Sequence, residues 1–214
     1  MKKITLALIL LSWLPLKSSF AVNVGNITEI ISSNEDTLSK EIENTVDTAR
    51  LVNLTIEKID SPLDTGKVIT VTDPNEILST PANLILPGHA KDIFKIIYQG
   101  PKDNKERYYR LNWKDDPIGE SGVTQSAKSA SATTSATIST ILVVAPRIEN
   151  FNYKYTNAQV SNTGNSTFRV VASGPCLAEK QKYGVDGICR ERYYLMPNLA
   201  VKLQFVDVTN KNQA

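Results

Sequence analysis

The residues able to do chemistry in this sequence are few and poorly placed for catalysis. A Ser/His/Asp arrangement needs an imidazole to take the hydroxyl proton, and the chain has one histidine, His89. It follows Pro87-Gly88 in a turn, with neither a carboxylate nor a second metal ligand at motif spacing. Serines and threonines crowd residues 121–137, yet there is no further imidazole to activate them. Zinc takes about four ligands, and Cys176, Cys189 and His89 are too few to hold it. No GxxxxGK run is present to cradle a phosphate. These residue types point away from an enzyme and imply neither cofactor nor metal. Tyr108, Tyr109 and Trp113 could stack on a sugar, but their alternation along 106–114 (ERYYRLNWK) assigns them to core and domain-interface packing.

What remains is recognition through a strand. Residues 136–147, ATISTILVVAPR, meet no β-breaker until Pro146 and are long enough for one sustained strand. Residues 117–136, mostly Gly, Ser, Thr and Ala, read as a mobile loop. A loop that long inside a compact domain is functional or marks a wrong assignment, and here it reads as functional. A flexible segment feeding such a strand suits a chain that offers strand hydrogen bonds and apolar side chains to another protein. Period-two geometry puts Ile138, Thr140, Leu142 and Val144 on one face, expected to be the interactive one. Ser139, Ile141, Val143 and Ala145 are then expected to turn to the chain's own core. A core strand after a surface loop fits the same periodicity.

The elements around that strand follow from patterning. Met1-Lys2-Lys3, a mostly apolar run over 4–16 and Ser19-Phe20-Ala21 form a secretory signal peptide ending at Ala21. Its apolar run is too short to span a membrane and no later run is long enough, so stable membrane insertion is not expected. The sequence holds 24 Lys and Arg against 22 Asp and Glu. Lys2, Lys3 and Lys17 leave with the signal, so the mature chain lacks the basic field that nucleic acid requires. Secretion places the chain where disulfides persist, and a Cys176–Cys189 bridge is expected.

Strands are expected over 22–31, 50–59, 67–72, 106–114 and 136–147, with two more inside 84–98 broken by Pro87-Gly88. Further strands are expected at 151–155, 160–163, 168–172, 193–196 and 200–208. Residues 32–43 read as a loop with a turn of helix, because Leu38 and Ile42 stand at helical spacing. Many short strands with Pro, Gly and Asn turns predict an all-β chain of two β-sandwiches, 22–147 and a smaller 148–214.

Several segments, in order, carry a resemblance. DTARLVN (47–53), SPLD (61–64), PANLILP (81–87), ERYYR (106–110), TILVVAPR (140–147), SNTGN (161–165), GPC (174–176) and YYLMP (193–197) span nearly the whole mature chain. Together they resemble the periplasmic pilus chaperones of the chaperone/usher pathway, and within it the common pilus (Ecp or Mat) branch. The resemblance implies two immunoglobulin-like β-sandwich domains in a boomerang arrangement, located in the periplasm. It implies binding of pilin subunits and the tip adhesin of the same pilus, and their delivery to an outer-membrane usher. A subunit of that pathway lacks its last strand, and the chaperone's G1 strand, matched here to 136–144, fills the gap by β-augmentation.

One feature of the classical members of that pathway is missing. They anchor the subunit's C-terminal carboxylate with an Arg of the first strand and a Lys of G1, whereas residues 22–31 and 136–146 contain no basic residue. The anchor is therefore absent or moved, with Arg50, Arg110 and Arg147 as the available substitutes, since a guanidinium grips a carboxylate bidentately. The alternative reading of the chain is a secreted pilus subunit or tip adhesin, with 22–31 as its donor strand.

Overall fold

A computed structural model describes residues 22–118 and 135–208. The expected signal peptide and nearly all of the expected long loop lie outside the described residues.

Two sheets build the first unit. One has the order β1 (Val22–Asn23), β3 (Thr37–Asn44), β7 (Lys91–Tyr98), β5 (Ile77–Thr80). The other has the order β2 (Thr28–Ile31), β9 (Ala136–Val144), β8 (Arg107–Pro117), β4 (Arg50–Ile59), β6 (Asn83–Leu86). Alternation dictates what lies between them. Val52 and Leu54 of β4, Tyr109, Leu111 and Trp113 of β8, and Leu142 and Val144 of β9 meet Ile42, Phe94 and Ile96 of the facing sheet in one buried cluster. Phe94 and Trp113 join the sheets edge to face, with ring centroids 5.3 Å apart, an arrangement that suits the aromatic quadrupole.

The expected first strand is two strands. β1 pairs antiparallel with β3 in one sheet, whereas β2 pairs parallel with β9 in the other. Gly25, at φ 66°, makes the crossing, which a side chain would strain. The Asn23 carboxamide oxygen accepts the Gly25 N–H at 3.0 Å. Residues 32–43 are not a loop with helix, because most of them form β3. Spacing i to i+4 fits a strand face as well as a helix face, and Lys40, buried to 3 % exposure, interrupts the apolar pattern. Its ammonium donates to the Asn26 carbonyl at 2.8 Å and the Glu29 carboxylate at 3.0 Å, tying the crossing segment to β3. The strand expected at 67–72 reduces to one bridge between Val68 and Ile59. Strand β5 has no counterpart among the expectations.

The second unit contains the sheet β10 (Tyr153–Thr156), β11 (Gln159–Asn162), β14 (Ala200–Lys202) and the hairpin β12 (Phe168–Pro175), β13 (Ile188–Leu195). A 3₁₀ turn, Ala178–Tyr183, bridges the hairpin strands. Cys176 and Cys189 are joined, their Cα atoms 4.9 Å apart, and pack with Val206. Gly184 lies against this bridge so closely that a Cβ would stand 2.4 Å from the Cys176 sulfur. No described helix is long and apolar enough to cross a membrane.

Candidate functional site

Strand β9 is covered on one side by β8 along its whole length and on the other only in part. β2 pairs with Ile141 to Val144, where the Ile141 and Ala145 amides donate to the Ile27 and Ile31 carbonyls at 2.8 and 3.0 Å. Among the described residues no strand pairs with the same edge between Ala136 and Ser139. The backbone groups of alternate residues there form an open ladder in line with β2, and such an edge is a template for another strand.

The facing of β9 is the reverse of the expectation. Thr140 and Leu142 are fully buried, Val144 nearly so, and the partly buried Ile138 packs against the same core. All four expected interactive side chains therefore point into the chain's own sandwich. The cause is Trp113, whose indole N–H donates to the Thr140 hydroxyl at 3.0 Å inside the core. A buried donor must be paired, and seating Thr140 inward commits residues 138, 142 and 144 to the same side. Ser139, Ile141, Val143 and Ala145 occupy the other face.

That outer face forms one wall of a cleft between the two units, with a cavity of about 540 Å³. Ile30 of β2, Leu63, Ile141, Val143 and Ala145 line it from the first unit; Phe151, Tyr194 and Met196 line it from the second. Ile30, Phe151 and Tyr194 are 54, 59 and 68 % exposed, a concentration of uncovered apolar surface that marks an interaction site. None of these flanking residues was legible as part of a site, because they come from different strands of different units.

A carboxylate crosses the floor of the cleft. Glu106, immediately before β8, accepts the Thr167 amide at 2.6 Å and the Thr167 hydroxyl at 2.5 Å from the second unit. It also accepts the Tyr108 hydroxyl at 2.6 Å. Burial first, and then this bond to Glu106, push the Tyr108 phenol well above its ordinary pKa, so it stays a donor. Close by, Asn165 of the second unit donates to the Asn104 carbonyl at 3.1 Å.

The three arginines go to three different places. Arg50 is buried at the end of β4 in a two-point ion pair with Asp115, at 2.6 and 2.8 Å. Arg147 donates to the Ser33 and Glu35 carbonyls at 2.9 and 2.8 Å, pairs with Asp36 and stacks over Tyr98, which anchors the end of the first unit to its 33–36 loop. Only Arg110 shares the outer face with Ile141, which it opposes directly in register. Its guanidinium is 3.9 Å from the Glu57 carboxylate and donates to the Gly66 carbonyl at 3.4 Å. Arg192, which the sequence did not single out, lines the cleft from β13. His89 lies away from these residues, in contact with the exposed Asp47 carboxylate at 2.7 Å. Among the described residues no group of His, Cys, Asp or Glu is arranged to hold a metal ion.

Comparison with known proteins agrees with this geometry. The family model of the EcpB C-terminal domain matches residues 151–214. A probable fimbrial chaperone EcpB of Klebsiella pneumoniae (strain 342) is 46 % identical over 211 residues, covering 99 % of this chain and 93 % of that protein. Among solved structures, the class 5 fimbriae chaperone CfaA superposes with a TM-score of 0.55 at 15 % identity, covering 85 % of this chain and 84 % of that one. A chain of the Salmonella enterica SafA pilin–SafB chaperone complex superposes with a TM-score of 0.53 at 17 % identity, covering 86 and 84 %. At these identities the two structures share the fold, a pair of immunoglobulin-like sandwiches.

Proposed function

Because the chain belongs to the EcpB family of probable fimbrial chaperones, we propose that it captures pilin subunits and the tip adhesin of its own pilus by lending them a strand. The observation that carries this reading is the edge of β9, beside an apolar cleft, that no strand among the described residues pairs with over Ala136 to Ser139. A subunit lacking its last strand exposes both a groove and two strand edges. Pairing one edge with Ala136 to Ser139 supplies main-chain hydrogen bonds, each contributing about 0.5–1.5 kcal/mol net. Ile141, partly exposed, then presents the apolar side chain that covers the groove, with Val143 lining the cleft behind it at 7 % exposure, in place of the Leu142 parity expected from sequence. No bond is made or broken, and capture ends when the subunit is handed to an outer-membrane usher.

Three companion statements belong to the same reading. The chain works in the periplasm after removal of residues 1–21, which N-terminal sequencing of the mature protein checks by starting at Val22. The units divide at 147/148, supported by the Arg147 anchor in the first unit and by the family match from residue 151. Of the three arginines, Arg110 is our candidate to meet a subunit carboxylate: it shares the outer face with Ile141, and its contacts to Glu57 and Gly66, at 3.9 and 3.4 Å, are longer than those that hold Arg50 and Arg147. A role as pilus subunit or adhesin is not favoured, because the relatives that match nearly end to end are chaperones. Co-expression with the pilin of its own pilus tests the reading. A discrete one-to-one complex on size exclusion is expected, whereas a ladder of self-assembled species would identify a subunit instead.

A further inference from the structure

Charge is divided unevenly along the chain. Residues 22–147 carry 13 Lys and Arg against 17 Asp and Glu, whereas residues 148–214 carry 8 against 5. Part of that basic surplus sits on one face of the β12–β13 hairpin. In its antiparallel register Arg169 stands opposite Tyr194, Val171 opposite Arg192 and Ser173 opposite Arg190, so alternation places all three arginines on one side. The opposite side, with Cys189, Glu191 and Leu195, is buried.

The three arginines are exposed, and among the described residues none of their side chains makes a hydrogen bond or an ion pair. Like charges on neighbouring sheet positions repel, so the hairpin keeps an unfavourable cluster around Tyr194, 68 % exposed, and Val171, 46 % exposed. Arginine and tyrosine on an otherwise uncompensated face have the composition of a binding hot spot. The face is also continuous with the site described above, since Arg192 and Tyr194 line the cleft. On its other flank Arg190 and Arg192 line a depression of about 280 Å³ with Tyr183 and Phe205.

We infer that the outer face of the β12–β13 hairpin is a second docking surface, which takes a carboxylate-rich segment of the subunit held in the cleft and draws that subunit in. The inference rests on the capture reading and names the chemistry of the partner. Forked guanidiniums suit carboxylates, and a complementary rim charge acts chiefly on association rate. An anionic lipid surface fits less well, because Arg192 and Tyr194 cannot lie on a membrane while they face a subunit in the cleft.

The test is the association rate of the mature chaperone with the pilin of its own pilus, diluted from denaturant, across a range of ionic strength. Changing Arg169, Arg190 and Arg192 together to Gln should lower the rate at low salt about tenfold and flatten its salt dependence. Thermal unfolding should show a melting temperature unchanged or raised, since repulsion is relieved. An unchanged rate and salt dependence overturns the inference. So does arginine-dependent binding to phosphatidylglycerol vesicles with an unaltered subunit rate, which makes the face a lipid site. Ile141→Glu separates the two levels. If it abolishes capture at every ionic strength while the arginine variant captures normally, the cleft reading stands and the second surface falls. If Ile141→Glu captures subunit as the wild type does, the cleft reading fails and the surface loses its occupant with it.

Discussion

The Trp113 indole donates its N–H to the Thr140 hydroxyl across adjacent strands of the first sandwich, and this one bond sets which face of β9 looks outward. Thr140→Val should leave the indole unpaired in the core at a cost of about 1–3 kcal/mol. Leu142→Glu buries a charge and should leave little folded protein. Ile141→Glu should keep the wild-type melting temperature within a degree or two and lose subunit capture. Circular dichroism melts beside co-purification of pilin distinguish the two; folded Leu142→Glu protein with lost capture would restore the opposite parity.

Arg50 and Arg110 should separate stability from binding. Removing one member of a buried ion pair leaves the other charge unpaired, typically about 3–5 kcal/mol, so Arg50→Ala should melt early through the stranded Asp115 carboxylate. Arg110 is partly exposed and its ion pair with the half-exposed Glu57 is long, at 3.9 Å, a kind of pair worth little to stability, so Arg110→Ala should leave unfolding nearly unchanged and weaken the complex. Denaturant unfolding and pull-down measured on the same samples decide it. Equal stability losses in both variants would place Arg110 in the fold rather than at the interface.

Glu106 should control how the two units are set. Its carboxylate accepts both the amide and the hydroxyl of Thr167. Glu106→Ala therefore removes the principal polar contact described across the cleft floor and should widen the distribution of inter-unit angles in small-angle scattering. Capture should slow, because a cleft sampled in several openings presents the binding geometry only part of the time. Scattering that matches the wild type would assign the inter-unit geometry to the linker alone.

Acid should weaken the second unit through Glu191. Burial pushes this carboxyl up, but the Gln204 amide, the Tyr193 hydroxyl and the Val206 and Phe205 amides outweigh it and hold the pKa below the ordinary value of 4.5. A depressed folded pKa contributes stability above the unfolded value and loses it as pH falls through the folded one. Glu191→Gln should thus melt below the wild type at neutral pH, with the gap closing as the medium is acidified below about 4.5. A gap that stays constant across that window would mean the carboxylate's charge contributes nothing.

Much of the fold was legible because it depends on local alternation. Val52, Leu54 and Ile56, like Tyr109, Leu111 and Trp113, each lie inside as period two requires, and Pro87-Gly88 separates β6 from β7 as read. The disulfide was legible for a different reason: a chain read as secreted, with two cysteines, has one intramolecular pairing to make. Periodicity failed where two patterns coincide. Leu38 and Ile42 satisfy helix and strand alike, and only pairing of β3 with β7 makes them a strand. In β9 the sets Leu142/Val144 and Ile141/Val143 are almost equally apolar, so the sequence determined that two faces exist but not which is buried. Tertiary structure decided it, because the Trp113 donor arrives from a strand more than twenty residues away and must find its acceptor inside. The cleft likewise exists only once Phe151 and Tyr194 of one sandwich face Ile30 and Ile141 of the other. That juxtaposition is set by long-range packing and the Glu106–Thr167 contact, and no spacing along the chain encodes it.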